Sequence, residues 1–163
     1  MIPFMRYSSA LSVPLLAGTL AVGSRWSGPI DCPPVGSDLR RVDLRGRWTL
    51  AITPDSARSL PSARLGHELK GTLELTRRDS APEFVVYSGR YSAKLQSIGL
   101  ARDTGEVLVS VPFGDSTRII LDPSVDDGNL ELVGKCRDGQ LIGRWLRAGA
   151  PARAWGSFTL RRR

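Results

Sequence analysis

The sequence predicts an all-β fold: an eight-stranded antiparallel up-and-down β-barrel behind an N-terminal segment of different character. Three observations lead there. From residue 44 onward, apolar and polar residues alternate along eight short runs. The cleanest sets Leu69, Gly71, Leu73 and Leu75 against Glu68, Lys70, Thr72, Glu74 and Thr76. Successive side chains of a strand point to opposite faces, so this is a half-buried antiparallel pattern rather than the solid apolar run of a parallel sheet. Second, six of the runs carry a glycine on their apolar face: Gly46, Gly71, Gly89, Gly134, Gly143 and Gly156. Glycine there weakens a flat sheet but permits the coiling a small closed barrel needs. Third, the links at 113–116, 126–128 and 137–139 hold Gly and Asp turn residues, which makes neighbours in sequence neighbours in space. A two-sheet sandwich is the structural rival, since its strands carry the same alternation.

The chain opens with Arg6 and an apolar run over 11–22, interrupted by Pro14. That run is too short to span a bilayer and has the length of a signal-peptide core. Ala21 and Gly23 satisfy the small-residue rule for cleavage before Ser24, so residues 1–23 are expected to be a signal peptide. A core-docked N-terminal arm is the alternative. Residues 24–43 are rich in Gly, Pro and Ser and read as an extended lead-in to the barrel domain at 44–163. This lead-in carries Cys32, and the other cysteine, Cys136, ends the sixth run. Two cysteines in an exported chain point to one disulfide; two unrelated buried thiols are the competing reading.

The strands are expected at 45–53, 68–77, 84–92, 106–111, 117–121, 129–136, 140–147 and 154–161. Two connections, 54–67 and 93–105, are long, and long ordered loops tend to carry function. Both follow odd-numbered strands, which places them at one end of a meander, the expected mouth.

Composition narrows the function by exclusion. The 163 residues carry 23 basic and 16 acidic side chains, a net charge of +7, and all but three of the cations are arginine. Arg47, Arg90 and Arg144 fall outside the barrel by parity, interleaved with Glu74, Glu106, Asp122 and Glu131, so no continuous basic face for nucleic acid is expected. Arg161, Arg162 and Arg163 could touch anionic headgroups, a peripheral membrane contact at most. His67 is the only histidine, which excludes a metal site built from several. Asp126 and Asp127 form a turn pair, and no glycine-rich phosphate loop occurs. No metal, no cofactor and no catalytic residue is assigned, and an enzyme is not the expected function.

Gly46-Arg47-Trp48 opens the first barrel strand and precedes a long first loop. This G-x-W triplet resembles the calycin group, which comprises lipocalins, fatty-acid-binding proteins and avidin-like barrels. Gly89-Arg90-Tyr91 is similar to the Gly-x-Tyr rhythm of avidin-like strands. In lipocalins the tryptophan plugs the closed end beneath an arginine near the last strand. The resemblance therefore implies a structural stack of Trp48 with Arg161 or Arg162, and no catalysis. It transfers no biotin-binding set, and no lipocalin-type helix is expected after the last strand.

Two functions follow. The first is an exported, non-enzymatic barrel holding a small apolar or amphipathic ligand. Trp48, Leu50, Leu73 and Tyr91 would line it from the first half of the chain, and Val109, Leu132, Trp145 and Phe158 from the second. The second is an accessory or structural subunit with a filled barrel. It would dock on a protein partner in the cell envelope through outer residues such as Trp26 and Trp155. Trp155 lies opposite in parity to Phe158 and Leu160, so either a bulge at Gly156 turns it inward or it marks a contact surface. A barrel-type cyclase is a third reading, for which no acid–base pair presents itself.

Overall fold

The computed structural model describes residues 30, 32, 38–57, 65–96, 102–112, 114–125, 129–147 and 154–163. The expected signal peptide at 1–23, Trp26 and the turn pair Asp126 and Asp127 lie outside the described residues. Among the described residues a 3-10 turn at Leu39–Arg41 precedes the strands. Asp38 caps it, its carboxylate accepting the Arg40 backbone N–H at 3.1 Å. This turn departs from the purely extended lead-in read from the sequence. Its buried residue is Leu39, whose N–H donates to the Gly114 carbonyl at 2.7 Å.

Eight strands follow: β1 (Gly46–Ala57), β2 (Leu69–Ser80), β3 (Phe84–Ala93), β4 (Thr104–Pro112), β5 (Ser116–Leu121), β6 (Leu130–Arg137), β7 (Gln140–Arg147) and β8 (Ala154–Arg162). Each pairs antiparallel with the next, and β8 returns to β1 to close the barrel. The closing register runs from Trp48 opposite Arg162 to Ala57 opposite Ala154. That ladder decides between barrel and sandwich, because a sandwich would leave β1 and β8 as edges. The strands are those expected from the alternation, with β1 and β2 running three or four residues further.

Two bulges bend the wall. The first lies on β1, where the register shifts between Pro54 and Ser56 and leaves Asp55 as the extra residue. The second lies on β2 between Leu75 and Arg77. Gly89 sits opposite Leu75 beside that second shift, where a Cβ would stand 1.8 Å from the Glu74 carbonyl oxygen. Only glycine lets β3 approach so closely there. Gly134 and Gly143 face each other across β6 and β7, and a Cβ on Gly143 would stand 2.0 Å from the Val133 carbonyl oxygen. Phe158, paired with Gly143 on the next strand, packs behind these two glycines. Its ring supplies the bulk they lack.

The inward residues form one apolar core running the length of the barrel. Burying a Leu, Ile, Val or Phe side chain contributes about 1.5–3 kcal/mol each, which makes this column the main source of stability.

Candidate functional site

The lower, closed end is built by the lead-in and the ends of β1 and β8. Leu39 and Leu44 are fully buried there. Trp48 donates its indole N–H to the Leu44 carbonyl at 2.9 Å. The Arg162 guanidinium lies over the Trp48 ring, its Cζ 5.2 Å from the ring centroid. Arg162 Nη2 also donates to the carbonyls of Asp43 and of Arg45, the latter at 2.8 Å. Of the two arginines implied by the resemblance, Arg162 therefore makes the stack, and Arg161 points outward to Gln140 at 2.9 Å. Burial draws the Arg162 guanidinium below its ordinary pKa, opposed by the charge of Asp43. Its hydrogen bonds to carbonyls compensate that desolvation. Tyr87 completes the seal, donating its hydroxyl to the Val42 carbonyl at 2.8 Å.

Cys32 and Cys136 form a disulfide, with their Cα atoms 5.4 Å apart. It ties the lead-in to the end of β6 beside the β6–β7 turn. Such a bond fits an oxidising, exported environment. Among the described residues no helix is long and apolar enough to cross a membrane.

Above the seal, Trp48, Leu50, Leu73, Tyr91, Val109, Leu132, Trp145 and Phe158 all point into the lumen. Each is at most 3% exposed. They pack on one another as part of the apolar core. Trp145 adds a hydrogen bond, donating its indole N–H to the Thr53 carbonyl at 3.3 Å.

The expected mouth is at the other end, where β1, β3, β5 and β7 finish and β2, β4, β6 and β8 begin. The two long connections share it, as expected from their positions after odd strands. Here the lumen contains a buried polar pair. Tyr91 donates its hydroxyl to Asp122 Oδ2 at 2.6 Å. Burial, and then the hydrogen bond to Asp122, push the Tyr91 phenol well above its usual pKa. Asp122, read from the sequence as an outer-face acid, is only 5% exposed. Its positive φ of 57° ends the strand alternation and turns the side chain inward. The space it enters exists because residue 105 is glycine, where a Cβ would stand 2.0 Å from Asp122 Oδ1. His67 is exposed at the start of β2.

The outer wall divides into two unlike faces. Across β1 to β4, Arg47, Glu74, Arg90 and Glu106 form a row of alternating charge, each opposite the next in register. Across β6 to β8 three large apolar residues stand among polar and charged ones on the outside: Val133 is 49% exposed, Leu146 46% and Trp155 41%. Leu146 and Trp155 are direct cross-strand neighbours. Trp155 is thus on the outside, and the bulge that affects this region is on β1 at Asp55. The Asp55 carboxylate reaches Arg144 Nη1 at 2.9 Å. Below the Leu146–Trp155 pair, a groove of about 780 Å³ opens on the same face, with Val133, Ile142 and Phe158 among its lining. Val133, Ile142 and Leu146 were not singled out from the sequence. Their signal was there: each is a large apolar residue at an outward position, as Trp155 is. No protein-family model matches this chain, and no curated protein matches it in sequence.

Proposed function

We propose that this protein is an exported, non-enzymatic accessory barrel that docks on a protein partner in the cell envelope through the outer face of β6 to β8. The observation that carries this reading is the contrast between inside and outside. The lumen-lining side chains are at most 3% exposed, whereas Leu146 and Trp155 sit side by side and more than 40% exposed on the wall. Aromatic and aliphatic anchors of this kind are what protein interfaces desolvate. A closed barrel offers no strand edge for β-augmentation, so recognition falls to outer side chains. The Cys32–Cys136 disulfide supports an oxidising compartment, periplasmic or extracellular.

The test places a photo-crosslinking amino acid at Trp155, at Leu146 or at Arg90 in the protein expressed with its own export machinery. Adducts of one discrete mass from the first two positions and none from Arg90 are the expected result. Equal labelling from both faces, or none, would overturn the docking reading. A small molecule retained in native mass spectrometry by the purified barrel, and still retained after Val133→Asp on the outer wall, would favour the lumen-ligand function instead.

A further inference from the structure

We propose that the groove on the outer wall between β5 and β8 binds a free single-chain amphipathic anion, with its alkyl chain on the outward side chains of Val133 and Ile142 and its carboxylate head at the Lys135–Arg137 end. The outside of a small barrel is convex and normally polar, and the charged row on β1 to β4 follows that rule. The groove departs from it in shape and in chemistry. Gly134 and Gly143 line its centre with their side-chain faces turned inward, so the outward side chains there are those of Val133, Lys135, Ile142 and Arg144. Ser116, Ser157 and Thr159 keep the flanks low, while Val133 and Ile142 supply apolar surface facing out. The volume of about 780 Å³ falls within the range of small-molecule sites.

Charge complementarity selects the head. The Lys135–Arg137 end holds two cations against one carboxylate, Asp115, while Arg144 stands beside Val133 at the other end. Lys135 pairs with Asp115 at 3.1 Å, and Arg144 pairs with Asp55 at 2.9 Å, the cation of each pair being 66% exposed to water. Exposed pairs of this kind are weak and exchange partners at little cost. Arg137, the last residue of β6, makes no ion pair among the described residues. A surplus of positive charge at the end of an apolar slot favours an anionic head over a neutral one. The site is separate from the Leu146–Trp155 pair, neither of which lines it.

The test uses the full exported chain, disulfide intact, titrated with dodecanoate, dodecanol and a fluorescent polyene fatty acid below their aggregation limits. Saturable one-to-one binding of the carboxylates is expected, at least tenfold tighter than dodecanol. Val133→Asp should weaken the carboxylates by about tenfold or more. Arg137→Glu should remove the preference for carboxylate over alcohol while dodecanol binding stays unchanged. Both positions are exposed, so circular dichroism should report the native barrel in each variant. Trp155→Ser should leave amphiphile binding unchanged, which separates this site from the docking surface. No saturable binding, binding indifferent to Val133→Asp and Arg137→Glu, or loss on Trp155→Ser would each overturn the proposal. So would a preference for anionic vesicles over monomeric amphiphile, since the ligand would then be a membrane surface.

Discussion

Removing the disulfide by Cys32→Ser with Cys136→Ser should lower the stability of the barrel by an amount the topology itself sets. The bond joins residues 104 apart, so the loop it closes contains the lead-in turn and β1 through β6. In the chain-entropy account the unfolded state gains about 16 cal/mol/K when that loop opens, or about 4.7 kcal/mol at 25 °C. For a domain of this size that corresponds to a melting point lower by about 10–20 °C. Urea unfolding followed by tryptophan fluorescence should show the loss together with a steeper denaturant dependence, because the unlinked chain exposes more surface when unfolded. The full value is expected only if the lead-in stays docked until the barrel itself opens. Its contacts argue that it does: Leu39 and Leu44 are fully buried, and the Asp43 and Arg45 carbonyls accept from Arg162 on the last strand. A loss below about 1 kcal/mol, with limited proteolysis cutting the lead-in while the barrel stays folded, would refute this reasoning.

Three further outcomes follow from the same geometry. Arg162→Met should cost about 3 kcal/mol or more in chemical denaturation, combining the cation–ring contact with two carbonyl acceptors left without their charged donor; an effect under 1 kcal/mol would mean the seal is not a stabilising element. Gly143→Ala should cost about 3 kcal/mol, since its Cβ meets the Val133 carbonyl at 2.0 Å, whereas Gly66→Ala meets no atom within 4 Å and should cost about 1–2 kcal/mol for its positive φ alone; similar losses at both sites would contradict the close approach. Tyr91 keeps its proton in the folded state at pH values where an unfolded tyrosine ionises, near 10. The unfolded state then binds fewer protons, so this contribution is complete below about pH 10 and is lost as pH rises beyond it; Tyr91→Phe should flatten the alkaline fall in stability measured between about pH 9 and 12, and an unchanged slope would remove Tyr91 as its source.

Much of this architecture was legible from alternation and glycine placement, because both report directly on which face of a strand is buried. Leu69, Leu73 and Leu75 alternate with charges because one face meets the core and the other meets water. The less legible parts depend on single residues that break the period. A bulge such as Asp55 adds one polar residue to a run that already has polar neighbours, so the pattern carries no mark of it. Asp122 was placed outside by its charge, and only its left-handed backbone explains why it turns inward. The lead-in turn was hidden for a different reason. Residues 38–45 are held by carbonyls accepting from Arg162 and Tyr87, and backbone acceptors have no sequence signature. The groove could have been found: Val133 and Ile142 occupy outward positions in strands whose other outward residues are largely polar or charged.

Closure of β1 on β8 also fixes the order in which the molecule can be completed. Their closing pairs run from Trp48 with Arg162 to Ala57 with Ala154, so most of the chain must be in place before their ladder forms. Contacts of such long range make folding slow, on the order of milliseconds to seconds. Until β8 docks, β1 and β7 are open edges bearing apolar side chains, able to pair with any other strand they meet. The last turn of that ladder brings Arg162 to Trp48, so the floor of the barrel is sealed by the same event that removes its edges. Aggregation risk and native sealing are thus two sides of one late step, and a variant that delays β8 should be lost to association before it is lost to instability.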